Sequence, residues 1–206
     1  MNLPNKITIL RICMLPLVIF FYLTNLLGAT GKLIALILFV FAIFTDMLDG
    51  YIARKYHLVT DFGKFLDPIA DKILASTGLV LLIADSTPIL PVPYGIIFIF
   101  IMLFRDYIVT GLRQMGQIKG VIIAADMLGK VKANLIYATL ILGFLLAYFN
   151  NLHGLSAEFI NITTNVFYVL SVITVFFIIL SGISYLKNNS HVLSEKQPKN
   201  KKEKSE

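Results

Sequence analysis

The sequence predicts an all-α integral membrane protein with six transmembrane helices. Of its 206 residues, 57% are hydrophobic and only 15% are charged, whereas a soluble domain is about half apolar and about a quarter charged. The apolar residues are collected in six long blocks, each of which reaches, with its flanks, the roughly 20 residues that cross about 30 Å of hydrocarbon. The predicted spans are 7–27, 33–54, 65–85, 94–112, 132–150 and 162–186.

The lysines and arginines indicate how these helices cross the membrane. The loops DSTPILPVPY and NNLHGLSAEF contain neither residue, and Lys32 is the one base expected on their side. Because segments rich in Lys and Arg stay in the cytoplasm, both termini are expected there. No acidic or basic step is expected in the outer halves of the spans. The bases assigned to the cytoplasmic side, besides those of the C-terminal segment, are Lys6, Arg11, Arg54, Lys55, Lys64, Lys72, Arg105, Arg113, Lys119, Lys130 and Lys132.

The chain divides into two parts of different composition. Residues 1–186 contain all six spans and are predicted to form one membrane domain. Residues 187–206 are polar, basic and poor in apolar side chains. Such a segment cannot bury enough surface to offset its ordering entropy, so we predict a disordered cytoplasmic tail.

Five aspartates lie close together in the sequence, around the cytoplasmic ends of the second and third spans. Asp46 and Asp49 are three residues apart, so they share one helix face. Asp67 and Asp71 are four residues apart and share a face of the next helix. Two adjacent antiparallel helices can therefore bring four carboxylates together. Asp61 lies in the turn between them and is expected to cap a helix or to pair with a base.

Four carboxylates beside lipid need a counter-charge. A carboxylate at the bilayer centre costs roughly 2.5–3.5 kcal/mol, and clustered like charges would otherwise have to protonate. Divalent cations relieve both costs, and an all-oxygen ligand set favours Mg²⁺ or Mn²⁺ over zinc. A purely structural role is disfavoured because the spacing repeats on two helices. The sequence thus predicts a two-metal site, suited to phosphate or pyrophosphate chemistry, at Asp46, Asp49, Asp67 and Asp71.

A longer pattern contains these aspartates: Asp46-x2-Asp49-Gly50-x2-Ala53-Arg54-x8-Gly63-x3-Asp67-x3-Asp71. It resembles the signature of the CDP-alcohol phosphotransferases. The resemblance implies that family's six-helix membrane fold, a cytoplasm-facing cavity and a homodimer. It also implies that an alcohol displaces CMP from a CDP-linked lipid with the help of divalent metal.

The same resemblance implies roles for individual residues. It assigns the general base to the last aspartate, Asp71, which spacing alone would not separate from Asp67. Gly50 and Gly63 lack side chains, so a ligand could approach the backbone closely there. The residues implied for binding the CDP group are Asn5, Thr8, Asp49, Gly50, Ala53, Arg54 and Gly63.

Other segments indicate the acceptor alcohol. NLPNKITILRICMLP, RDYIVTGLRQ and DMLGKVKAN resemble the bacterial branch of the family that makes phosphatidylglycerophosphate. This implies an enzyme of the bacterial cell membrane that uses CDP-diacylglycerol and sn-glycerol 3-phosphate, with its active site facing the cytoplasm.

Three bases fit an acceptor that carries a phosphate. Arg105 lies several residues inside a span, where an arginine is expected to meet an anion or a pairing partner. Arginine forks bind phosphate oxygens well. The residues implied for the acceptor phosphate are Arg105, Arg113 and Lys130, whereas Lys119 and Lys132 are expected to serve topology.

Some alternatives stay open at this stage. The sequence departs from the family pattern at Asp106, where Glu is usual, at Asp126, where a neutral residue is frequent, and at Ala133, where Thr is usual.

The same chemistry could use phosphatidylglycerol, serine or inositol phosphate as the alcohol. A cation transporter is a remote alternative, because the acids crowd one edge of the membrane rather than forming a path across it. No nucleic-acid partner is expected.

Overall fold

The computed structural model describes residues 2–56, 60–85, 88–121, 123, 126–152 and 154–190, with only the backbone for Asn25, Arg54, Asp61 and Lys64. Within this part the chain forms six α-helices and no β-strand, which confirms the all-α prediction. A short 3-10 turn, Asn25–Leu27, joins the first two helices. The helices are α1 (Leu3–Leu23), α2 (Ala29–Lys55), α3 (Asp61–Ile83), α4 (Val92–Ile118), α5 (Met127–Asn150) and α6 (Ala157–Asn188).

Several helix boundaries differ from the predicted spans. Helix α3 begins at Asp61, four residues before the predicted span, and Pro68 lies inside the helix. Helix α6 runs to Asn188, slightly beyond the predicted start of the tail. The tail from residue 191 onward lies outside the described residues, and its disorder stays a prediction.

Five of the helices are long and apolar enough to cross a membrane: α1, α2 over Ala29–Ala53, α4, α5 and α6. Helix α3 is not among them, since Asp67, Asp71 and Lys72 fall in its first half. Large apolar side chains on the outside of the bundle, such as Phe44 and Phe100, fit contact with lipid. The chain is therefore a multi-pass membrane protein, while the sixth span and the cytoplasmic termini stay predictions.

The helices close into a ring. Helix α1 packs against α2 and α3, α3 against α4, α4 against α6, α6 against α5, and α5 against α2. Helix α3 also contacts α5 across the ring. The acid-bearing helices α2 and α3 consequently share α1 and α5 as neighbours.

Aromatic side chains fill the middle of the ring. The rings of Phe39 and Phe144 stack with their centroids 4.6 Å apart, and the Tyr22 ring lies 4.9 Å from that of Phe144. A Cβ atom at Gly78 would lie 2.8 Å from Cζ of Phe39, so glycine lets α3 approach α2. Inside a bilayer such close packing, rather than escape from water, holds helices together.

A buried ion pair lies at the end of the bundle away from the predicted acidic site. Lys32 is near the start of α2 and Asp85 follows the end of α3; Lys32 Nζ lies 2.8 Å from Asp85 Oδ2. The Tyr22 hydroxyl donates to the same oxygen at 2.9 Å. The sequence analysis placed Lys32 on this side and Asp85 in the loop DSTPILPVPY, but it did not predict that the two would pair. Pairing and hydrogen bonding allow both charges to be buried.

Candidate active site

Helix α1 joins the two acid-bearing helices through one hydroxyl. Thr8 is 1% exposed, and its Oγ1 lies 3.1 Å from Asp49 Oδ2 on α2 and 3.2 Å from Asp67 Oδ1 on α3. Its single hydrogen can be donated to either carboxylate or to the backbone carbonyl of Pro4, which lies 3.1 Å away. The carboxylates of α2 and α3 thus meet around the first turns of α1.

The other two aspartates flank this meeting point. Asp46 lies one helical turn before Asp49, close enough to Asp49 and Asp71 for the carboxylate charges to interact. Asp71 is exposed, and its Oδ1 accepts a hydrogen bond from the hydroxyl of Tyr137 on α5. We call Asp46, Asp49, Asp67 and Asp71 the acidic cluster. Sequence reasoning missed Tyr137, because nothing along the chain marks a tyrosine of α5 as a neighbour of α3.

Arg11 of α1 is bound directly to the acidic cluster. Its side chain is completely buried, with Nη1 on Asp46 Oδ1 and Nη2 on Asp49 Oδ2. Its Nε is also buried and has no partner among the described residues. The sequence interpretation counted Arg11 only among the bases of the cytoplasmic side and missed these two contacts. A usable signal was present, since Arg11 lies three residues after Thr8 and shares its helix face.

The donor atoms of the acidic cluster fit a hard divalent cation. All four side chains supply carboxylate oxygens, the ligands that Mg²⁺ and Mn²⁺ prefer. The cluster already attracts a cation, the Arg11 guanidinium. In the described part of the chain, no three acidic, histidine or cysteine side chains are arranged so that they could hold one ion.

The starts of α1 and α3 are fastened together beside the acidic cluster. Thr60 caps α3 by accepting a hydrogen bond from the Gly63 amide at 3.1 Å, and Asn5 Nδ2 donates to Thr60 Oγ1 at 3.0 Å. Thr60 is therefore the N-cap of α3, and the role expected for Asp61 falls on a side chain outside the described part. A Cβ atom at Gly63 would lie 2.8 Å from Asn5 Oδ1. Asn5, itself implied for CDP binding, therefore packs against Gly63, and a ligand contact at Gly63 stays a prediction.

The remaining residues implied for CDP binding lie on the last turns of α2. Gly50 and Ala53 are half-buried there, following Asp49 along the helix. The side chain of Arg54 lies outside the described part, so its contact with the nucleotide stays a prediction.

The three bases implied for the acceptor phosphate line one cavity of about 230 Å³ between α4, α5 and α6. We call it the basic cavity. Asp126 and Ala133, two of the departures from the family pattern, also line it. Its residues are Arg105, Arg113, Asp126, Gly129, Lys130, Ala133 and Tyr185.

Hydrogen bonds hold the arginines of the basic cavity in place. Arg105 donates from Nη1 to Asp106 at 3.1 Å and from Nη2 to Ser181 Oγ at 2.6 Å. A Cβ atom at Gly182 would lie 3.0 Å from Cγ of Arg105, so the glycine makes room for this side chain. Arg113 donates from Nε to the Tyr185 hydroxyl at 3.0 Å.

Lys132 connects the basic cavity with the acidic cluster. It is 7% exposed, and its Nζ donates to Asp106 Oδ1 at 2.6 Å. It is also close enough to Asp71 and Arg105 for the charges to interact. The role of Lys132 in topology stays a prediction, but its burial and its bond to Asp106 show a contact that the sequence analysis did not predict.

Comparison with known proteins gives a consistent result. A model of the CDP-alcohol phosphatidyltransferase family matches residues 1–180. A Bacillus subtilis (strain 168) protein named CDP-diacylglycerol–glycerol-3-phosphate 3-phosphatidyltransferase is 37% identical over 206 aligned residues, covering 93% of this chain and 97% of the relative. Proteins of the same name from Rickettsia bellii and Rickettsia felis are 39% and 41% identical, covering 64% of this chain and 68% of each relative.

The family match covers most of the chain and includes the complete aspartate pattern. The predicted resemblance and enzyme class are thereby confirmed. The chain belongs to the CDP-alcohol phosphatidyltransferase family.

Proposed function

We propose that this protein transfers the phosphatidyl group of CDP-diacylglycerol to sn-glycerol 3-phosphate, giving phosphatidylglycerophosphate and CMP. The observation that carries the proposal is Lys132, which shares Asp106 Oδ1 with Arg105 of the basic cavity and is close enough to Asp71 of the acidic cluster for their charges to interact. Pyrophosphate chemistry needs the acids and their cations, and a phosphorylated acceptor needs the bases. The names of the relatives agree with this pairing of donor and acceptor.

The acidic cluster would hold two divalent ions, Mg²⁺ or Mn²⁺. When bound, they offset the charge of the CDP pyrophosphate and of the phosphate group that leaves. The diacylglycerol chains remain in the bilayer beside the apolar outer faces of the helices. The cytidine end lies near the start of α1 and the end of α2, where Arg54 is proposed to bind the departing CMP. The other residues proposed to bind the CDP group are Asn5, Thr8, Asp49, Gly50, Ala53 and Gly63.

Asp71 is proposed to act as the general base. Its carboxylate accepts the proton of the acceptor's primary hydroxyl as that oxygen attacks the β-phosphorus of CDP-diacylglycerol. The bond from this phosphorus to the CMP oxygen breaks, and CMP leaves with the bonding electrons. Tyr137 is a positioning residue, since its hydroxyl donates to Asp71 Oδ1 and orients the carboxylate.

The basic cavity is proposed to bind the phosphate of the acceptor. Arg105 is fixed by Asp106 and Ser181, so it offers a guanidinium that loses little freedom on binding. Arg113 and Lys130 line the same cavity and are exposed. A phosphate held there would place the far end of a three-carbon alcohol toward Lys132 and Asp71.

The setting of the reaction is part of the proposal. The acidic cluster and the basic cavity would face the cytoplasm, because the lysines and arginines crowd that end of the spans. The membrane is a bacterial cell membrane, as in the relatives' organisms. By its resemblance to the family, the protein is proposed to be a homodimer.

A CMP-release assay with a panel of alcohols tests the proposed reaction. Purified protein in lipid nanodiscs, given CDP-diacylglycerol and Mg²⁺, is expected to release CMP with sn-glycerol 3-phosphate. Free glycerol, serine, inositol phosphate and phosphatidylglycerol are expected to release little. Faster release with any of these four would reassign the acceptor, and no release with any alcohol would contradict the proposed chemistry.

Replacing Arg113 or Lys130 by Ala should raise KM for sn-glycerol 3-phosphate about 10- to 150-fold. Loss of a charge-assisted hydrogen bond costs roughly 1.5–3 kcal/mol, which corresponds to this range. KM for CDP-diacylglycerol should change little, because the donor is bound at the acidic cluster. Lys119→Ala, which removes a base at the end of α4, serves as the control. A defect confined to CDP-diacylglycerol would show that the basic cavity does not hold the acceptor.

A further inference from the structure

Arg11 presents a conflict at the centre of the proposed metal site. Its two terminal nitrogens occupy one oxygen each of Asp46 and Asp49. The same two carboxylates are proposed to hold divalent metal. A guanidinium and a divalent cation that compete for the same carboxylate oxygens cannot both bind them fully.

The surroundings of Arg11 leave it little besides these carboxylates. Its side chain is completely buried, and the buried Nε has no partner in the described part of the chain. A buried polar atom without a hydrogen bond is unusual and calls for an explanation. The side chain is therefore held by the charges of Asp46 and Asp49, and not by a complete hydrogen-bond shell of its own.

We propose that Arg11 is an internal counter-cation that competes with the divalent metal for Asp46 and Asp49 and so sets how tightly the metal is held. The inference rests on the proposed metal site. Before metal binds, the guanidinium offsets part of the charge of four clustered carboxylates. Metal must then displace it from two charge-assisted hydrogen bonds. The competition lowers metal affinity while keeping the empty site folded.

The test is Mn²⁺ binding without substrate, measured by electron paramagnetic resonance on the full-length protein in nanodiscs. Arg11→Gln keeps hydrogen-bonding groups but removes the charge, and is expected to lower the Mn²⁺ dissociation constant about tenfold or more. Its metal-free form should melt at a lower temperature, and Mn²⁺ should raise its Tm by more than it raises that of the wild type. A residue that only supported the fold would leave Mn²⁺ affinity unchanged or weaken it.

Two further variants keep the test decisive. Arg11→Lys retains the charge but loses the two-nitrogen fork, so it should bind Mn²⁺ with an intermediate affinity, and it replaces Arg11→Gln if that variant does not fold. Lys32→Gln removes another buried base, which lies at the other end of α2 and pairs with Asp85. It should lower Tm without changing Mn²⁺ affinity.

The outcomes separate this inference from the metal site on which it rests. If wild-type protein binds no Mn²⁺, or binds it equally well after Asp49→Asn with Asp67→Asn, the proposed metal site fails. If binding depends on those aspartates but the Arg11 variants bind Mn²⁺ no more tightly than the wild type, the metal site stands and the role of Arg11 is overturned.

Discussion

Replacing Asp71 by Asn is expected to slow CMP release about 100-fold or more, the loss typical for removal of a general base. The asparagine is nearly the same size and can still accept the hydrogen bond of Tyr137, so the helix contacts should survive. Its amide cannot take the proton of the acceptor hydroxyl. Steady-state kinetics with saturating sn-glycerol 3-phosphate, together with binding of CDP-diacylglycerol, should show a large fall in kcat and much smaller loss of donor binding.

Asp61→Asn is the matched control for that experiment. It makes the same chemical change in the same helix, at a residue outside the aspartate pattern. Turnover should stay near the wild-type value. If Asp71→Asn also kept near-normal turnover, Asp71 would not be the base, and Asp67→Asn would be the next variant to measure.

Removal of divalent metal is expected to abolish CMP release completely. Four carboxylates and one guanidinium leave the acidic cluster with a net negative charge, and this would repel the pyrophosphate of the donor. Activity in EDTA should fall to background and return when Mg²⁺ or Mn²⁺ is added in excess. Circular dichroism in EDTA should still show a helical protein, since Arg11 offsets part of the charge. Full CMP release from a metal-free preparation would contradict the two-metal proposal.

Features that depend on local spacing could be predicted from the sequence. Apolar blocks predicted the helices, because a run long enough to cross lipid must satisfy its backbone hydrogen bonds internally. The spacing of Asp46 with Asp49, and of Asp67 with Asp71, placed each pair on one helix face. The aspartate pattern then gave the family, which the comparison confirmed.

Features that depend on distant partners could not be predicted in this way. Arg11 and Lys132 were counted as markers of the cytoplasmic side, because a base near the end of a span has the same sequence signature whether it is exposed or paired. Their partners lie 35 residues from Arg11, at Asp46, and 26 residues from Lys132, at Asp106. Tyr137 reaches Asp71 across 66 residues. Only the ring of helices brings these side chains together.

The glycine at position 63 shows a different limit. The sequence indicates that a side chain is excluded there, but not what excludes it. A bound ligand and a neighbouring helix have the same requirement for a residue without Cβ. In the structure the neighbour is Asn5 of α1, so the packing of α1 on α3 is by itself enough to require a residue without Cβ there.

The ion pair between Lys32 and Asp85 has a consequence for how the protein enters the membrane. Each charge alone would be costly to bury, and the two are neutralised only when the start of α2 and the end of α3 come together. Tyr22 adds α1 to the same contact. During biosynthesis the first three helices should therefore leave the insertion machinery together, as one three-helix unit, before α4 to α6 associate. All four aspartates of the acidic cluster belong to that unit, so half of the proposed active site would be assembled while the second half of the chain is still being made.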